Sequence, residues 1–227
     1  MTRKVFFIGV LMFACTCMQA QTQKNGEVFI SDGMEMIYVE GNTGNNSGIL
    51  GGGIKGFHIG KFEVTQAQWI AVMGSNPSKS SRGDSYPVDN VSWNDVQTFI
   101  IKLNEMTGKN YRLPTEIEWG YAATGGNIGK GYEYAGGDII DDVAWFRLNS
   151  GNASKPVGRK KPNELGIYDM SGNVSEWCQD LFDSKGSSRV YRGGSWKDLA
   201  LYCRAAGRRS FSATTGNNSI GLRLVIP

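Results

Sequence analysis

The stretch Tyr168-Asp169-Met170-Ser171-Gly172-Asn173-Val174-Ser175-Glu176-Trp177 decides the fold of this 227-residue chain. With Arg192-Gly193-Gly194-Ser195-Trp196 and Gly221-Leu222-Arg223, it sets glycines at fixed offsets between aromatic and polar side chains. Such spacing marks a backbone held in tight geometry, because glycine enters left-handed and close-approach conformations without steric cost. The turn is rich in oxygen. Asp169, Asn173, Glu176 and the carbonyls at the glycine are the donors that suit a hard cation such as calcium.

Working outward, the length fits one domain. Charged residues make up 20% and apolar residues 40%, ordinary for a globular fold. The 31 glycines and six tryptophans point to many tight turns pinned by large aromatic anchors. The net charge is +3, and two of these charges belong to Arg3 and Lys4. No lysine or arginine cluster sits on a helix, so the pattern of a nucleic-acid-binding protein is missing. Arg159-Lys160-Lys161 reads as a solvated loop.

Residues 1–20 read as an export signal. Arg3-Lys4 precede the apolar run Val5 to Ala14, which is too short to span a bilayer, and Ala20 offers a small residue for cleavage. Cys15 directly follows that run, so a lipid anchor at Cys15 is the other outcome. Either way the chain is exported, and it reaches a membrane only through such an anchor. Residues 21–34 form a lead-in and residues 35–227 the domain.

Val28-Phe29-Ile30 and Met34 to Val39 have strand character, and Phe57 to Val64 alternates apolar and polar residues. Gly41–Gly53 reads as a turn or loop. Thr65-Gln66-Ala67-Gln68, Ser92-Trp93-Asn94-Asp95 and Thr115-Glu116-Ile117-Glu118 each fit a capping box or a near variant, predicting three helices that stop near Gly74, Gly108 and Gly125. Val96, Phe99, Ile100 and Leu103 give the second helix an apolar face. Beyond Gly125 only short apolar pieces remain.

Four further blocks join the opening motifs: Lys61-Phe62-Glu63-Val64-Thr65, Tyr86 to Trp93, Tyr111 to Trp119 and Pro162 to Met170. In this order they resemble the formylglycine-generating enzyme (sulfatase-modifying factor) family, over roughly Glu35 to Val225. The resemblance implies an α+β fold of the C-type-lectin-like kind, with few regular elements, a small twisted sheet and long ordered loops. It also implies calcium ligands at Asp169 and Glu176 (side chains) and at Gly172 and Val174 (carbonyls). Tyr111, Trp119, Trp145 and Trp177 are expected to be core anchors.

The family's enzymes bind copper through two thiolates five residues apart, soon after the Gly-Gly-Ser motif. Here those positions hold Asp198 and Cys203. Copper(I) is soft and a carboxylate is a hard ligand, so the pair is incomplete and copper is not expected. Beyond Ala20 the chain holds only Cys178 and Cys203, and an exported protein with an even pair most simply forms a disulfide. Closing a loop of about 25 residues would add roughly 3–4 kcal/mol. The single histidine, His58, excludes zinc sites built on several histidines and the two-histidine facial triad. Glu116 and Glu118 read as first-turn helix acids.

These readings favour an exported, non-enzymatic binding or envelope-assembly module whose ligand is a protein or a glycan. Two alternatives stand beside it. One is a copper-dependent oxidase that converts a sulfatase cysteine to formylglycine, with Cys178 as the only candidate for the second thiolate. The other is a ligand-display variable protein of a diversity-generating retroelement. The chain resembles such proteins, and their diversified positions would fall on Trp196, Asp198, Leu199, Leu201, Tyr202, Arg209 and Phe211.

Overall fold

The computed structural model describes residues 23–42, 53–80, 83–184 and 186–227. The expected leader, with Ala20 and Cys15, and most of the expected 41–53 loop lie outside them. The architecture is α+β, with two four-stranded sheets where the resemblance implied one small sheet.

The first sheet has the order β1-β2-β3-β8. It contains β1 (Val28–Ser31), β2 (Met34–Val39) and β3 (Phe57–Gly60), closed by the late strand β8 (Val225–Ile226). All its pairings are antiparallel, and β8 sets Ile226 opposite His58. The second sheet has the order β6-β5-β4-β7. It contains β4 (Ser175–Leu181), β5 (Ser188–Arg192), β6 (Arg208–Ser212) and β7 (Ile220–Gly221). Strands β4 and β7 run parallel, with Ser175 opposite Ile220 and Glu176 opposite Gly221.

The three predicted helices are α1 (Gln66–Met73), α2 (Trp93–Thr107) and α3 (Glu116–Ala123). Each opens with a complete capping box, at Thr65/Gln68, Ser92/Asp95 and Thr115/Glu118. The reciprocal bonds satisfy two N–H groups that the first turn leaves without an intrahelical partner. Gly74 and Gly108 end α1 and α2 in the left-handed conformation. A fourth short helix, α4 (Ile140–Val143), precedes the Trp145 loop. Among the described residues no helix is long and apolar enough to cross a membrane.

Two apolar clusters form the core. In one, Trp69 of α1 stacks on Phe99 of α2 at 4.8 Å between ring centroids, and both pack with Trp177, Leu222 and Leu224. In the other, Ile37, Val39, Phe57 and Ile59 of the first sheet pack on Trp119 and Ala122 of α3 and on Val190 of β5. Tyr111, Trp119 and Trp177 are buried anchors as expected, while Trp145 is half-buried.

The first-turn acids of α3 do more than face the helix dipole. Glu116 accepts from both Arg192 and Arg208. Glu118 takes a bidentate pair of bonds from Arg112, both at 2.7 Å. Burial pushes the Glu118 carboxyl upward, but the bonds from Arg112 and from the Thr115 N–H outweigh it and hold it below the usual carboxylate range. A depressed folded-state pKa gives stability above the unfolded pKa of about 4.3, lost as pH falls through the folded value. Glu118→Gln keeps a capping-box side chain and removes the charge. It is expected to cost about 1 kcal/mol at pH 7 in urea denaturation. The deficit should shrink toward zero as pH is lowered below about 4, and a deficit that stays constant with pH would refute the assignment.

Candidate functional site

The three opening motifs meet in space. Gly172 N–H donates to Gly193 O at 2.9 Å, Trp196 N–H donates to Asn173 O at 2.7 Å, and Ser175 N–H donates to Ser219 O at 2.8 Å. Asp169, Gly172 and Asn173 all hold positive φ, at 59°, 82° and 57°. A Cβ on Gly172 would lie 2.3 Å from Trp145 O, so no larger residue fits this crossing.

Beneath the turn lies a buried polar node built from four distant segments. Arg223 donates Nε to both oxygens of Glu176, at 3.1 and 3.0 Å, and Nη2 to Glu176 Oε1 at 2.7 Å. Its Nη1 and Nη2 also reach Gly60 O and Tyr168 O, each at 2.7 Å. Both side chains of this pair are 0% exposed. Trp119 Nε1 donates to Glu176 Oε2 at 2.7 Å. Glu63, which follows β3, accepts from Asn173 Nδ2 at 2.8 Å and from Val174 N–H at 3.0 Å. Burial, then the charges of Asp169 and Glu176, push the Glu63 carboxyl well above its ordinary value. Burial also raises Asp169 to about 6, against the bond from Gly158 N–H and the charge of Arg223.

The predicted calcium ligands are near one another but not equally available. The four bonds from Arg223 and Trp119 fill the roughly four lone-pair positions of the Glu176 carboxylate. Asp169 Oδ2 accepts from Gly158 N–H at 2.6 Å, whereas its buried Oδ1 has no donor among the described residues. Among the described residues no group of three or more acidic, cysteine or histidine side chains gathers as a metal site. As the side chains stand, both Glu176 oxygens are already engaged, whereas Asp169 Oδ1 has no donor among the described residues.

The expected bridge between Cys178 and Cys203 is not formed, and both thiols are free and buried. They belong to different clusters, which is the physical reason. Cys178 packs in the α3 cluster, and Cys203 packs with Tyr134, Val143, Ala144 and Phe146. Burial pushes the Cys178 thiol well up, and burial followed by the Asp198 charge pushes Cys203 up to about 12. Neither is a thiolate at neutral pH. Asp198 accepts from Ser195 Oγ and from Arg209 Nη1, the latter at 2.7 Å. Gly194 has φ 70°, and a Cβ there would lie 2.5 Å from Tyr202 O. The Gly-Gly-Ser turn is therefore locked against the segment carrying Cys203.

The seven expected ligand-binding residues divide in two. Leu199, Leu201 and Tyr202 are 47%, 55% and 41% exposed and form a face around the Asp198–Arg209 pair. The Arg209 guanidinium lies 4.5 Å from the Tyr202 ring centroid. Trp196 and Phe211 instead turn inward. Trp196 is buried, with its indole N–H on Asn218 O, and Phe211 packs on the core near Trp177. Leu148 joins the exposed side, because Arg147 N–H bonds Asp198 O at 2.9 Å and leaves the next side chain in solvent. Nothing in the sequence around Leu148 signals that proximity. Glu63 and Arg223 were visible only as members of recurring blocks, a charged residue inside an otherwise apolar run being the one local sign.

Set beside known proteins, residues 15–227 match the family model described as the sulfatase-modifying factor enzyme 1-like domain. The chain is 32% identical to the chaperone protein LppX of Paenibacillus barcinonensis, with 95% of this chain and 96% of that one covered. It is 33% identical to the formylglycine-generating enzyme of Streptomyces coelicolor over 68% of this chain, spanning 59% of that enzyme. Treponema denticola variable protein 1 superposes with a TM-score of 0.74 at 28% identity, covering 88% of this chain and 98% of that one.

Two outcomes follow from the node. Arg223→Leu strands the buried Glu176 charge and is expected to cost about 3–5 kcal/mol in urea denaturation, a loss under 1 kcal/mol counting against it. Calcium added to chelator-treated protein is expected to leave the melting temperature unchanged. A rise of several degrees would mean that the cation displaces Arg223 from Glu176.

Proposed function

This chain belongs to the family of the sulfatase-modifying factor enzyme 1-like domain, and on that premise we propose that it is a non-enzymatic binding module of the cell envelope. Its contact surface is the face of Leu199, Leu201, Tyr202 and the Asp198–Arg209 pair. Its ligand is another exported protein or a glycan.

One observation carries this reading. Where the family's oxidases place the first of two thiolates, this chain has Asp198, paired with Arg209 at 2.7 Å. A carboxylate held in an ion pair offers nothing to a soft metal ion. Cys203 is buried and protonated, and Cys178 belongs to another cluster. The oxidase alternative would need these two sulfurs to meet. The likeness to a chaperone along almost its whole length supports a role in handling another protein and, with the sequence of the leader, a place at the envelope.

A second reading treats the same face as a diversified display surface. Its support is the exposure of Leu199, Leu201 and Tyr202 and the likeness to Treponema denticola variable protein 1. Loops on a rigid scaffold are where such binding resides.

The deciding experiment incubates the purified protein with copper(I), oxygen, a thiol reductant and a peptide carrying a sulfatase-type cysteine. Mass spectrometry is expected to show no formylglycine and no stoichiometric copper, and catalytic conversion of the peptide would overturn the proposal. For the second reading, a near-copy of the stretch coding for residues 192–223 beside a reverse transcriptase gene would be required.

A further inference from the structure

We infer that the cavity beside the start of α3 binds a small zwitterion with an apolar side, of which a free aliphatic amino acid is the simplest form. The cavity has a volume of about 670 Å³, within the range of small-molecule sites. Ile54, Phe57 and Ile117 supply its apolar surface. Phe57 is part of the core and makes a fixed floor. Ile117 sits at the second position of α3 and is 40% exposed, an aliphatic side chain left open where the cavity lies.

The polar groups of the lining separate into satisfied and available ones. Arg112 and Glu118 cancel each other in their bidentate pair. Lys55 is exposed and makes no ion pair among the described residues. Asp180 accepts the Glu116 N–H on Oδ2 at 2.6 Å, and its Oδ1 has no donor among the described residues. The lining thus includes one cation without an ion pair and one carboxylate oxygen without a donor among the described residues, beside the side chains of Ile54, Ile117 and Pro227. A ligand carboxylate at Lys55, an ammonium at Asp180 and an aliphatic side chain on Ile54 and Ile117 would match all three. This site is separate from the Leu199–Arg209 face, and its failure would leave that reading untouched.

The test follows the methyl resonances of Ile54 and Ile117 in the full chain during titration with L-leucine. Saturable shifts are expected, with leucinamide (no carboxylate) and N-acetylleucine (no ammonium) each binding at least about tenfold more weakly. Lys55→Met should abolish the preference for leucine over leucinamide. Asp180→Asn, which keeps an oxygen acceptor for Glu116 N–H, should abolish the preference over N-acetylleucine. Absence of saturable shifts up to roughly 10 mM leucine, or equal binding of the three compounds to the unmodified protein, would overturn the assignment.

Discussion

The ion pair between Arg223 and Glu176 is the constraint from which the rest of the molecule is organised. Both side chains are fully buried. Removing two charges from water is costly, and the cost is offset only where geometry and additional hydrogen bonds satisfy both partners. Here they do. The guanidinium reaches Gly60 at the end of β3, Tyr168 at the head of the glycine turn and Glu176 in β4. Arg223 itself lies between β7 and β8, where the chain passes from the second sheet to the first. One side chain thereby fixes the relation of the two sheets, and Trp119 ties α3 to the same carboxylate. Glu63 and Asn173 extend the node to the end of the first sheet.

The frame and the chemistry of this scaffold are separable. The Gly193-Gly194-Ser195 turn is held by backbone crossings that admit no Cβ at Gly194. The side chains that follow are not under that constraint, and there a carboxylate stands in place of a thiolate. Asp198 is itself structural, since Ser195 and Arg209 both donate to it. A site that binds a soft metal needs an unpaired donor near another; this chain has an ion pair next to a protonated thiol. The result is a surface with exposed leucines and one tyrosine around an ion pair.

What could be read in advance depended on range. The helices were legible because a capping box is complete within four residues, and all three formed where Thr65, Ser92 and Thr115 start them. The demand for unusual backbone angles in the Asp169–Asn173 turn was legible for the same reason. β4 was not, because Ser175 to Leu181 becomes a strand only through its partners Tyr191, Arg192 and Ile220. β6 depends likewise on β5. Glu63 bonds Val174 across 111 positions, a separation that no local pattern encodes. Counting cysteines predicted a bridge because parity carries no information on which cluster each thiol enters. Exposure of Tyr202 and burial of Trp196 also hinge on how the loops lie, which their spacing leaves open.

The placement of β7 and β8 bears on how the molecule is made. Each sheet receives one strand from residues 220–226, and β8 pairs with β3 more than 160 positions earlier in the chain. A nascent chain still held at its late residues therefore lacks a member of both sheets and the arginine that joins them. Native assembly has to wait for emergence of that segment, so collapse cannot proceed to completion vectorially from the N-terminus. In the interval Glu176 and Trp177 lack the partners that Tyr191 and Arg223 supply.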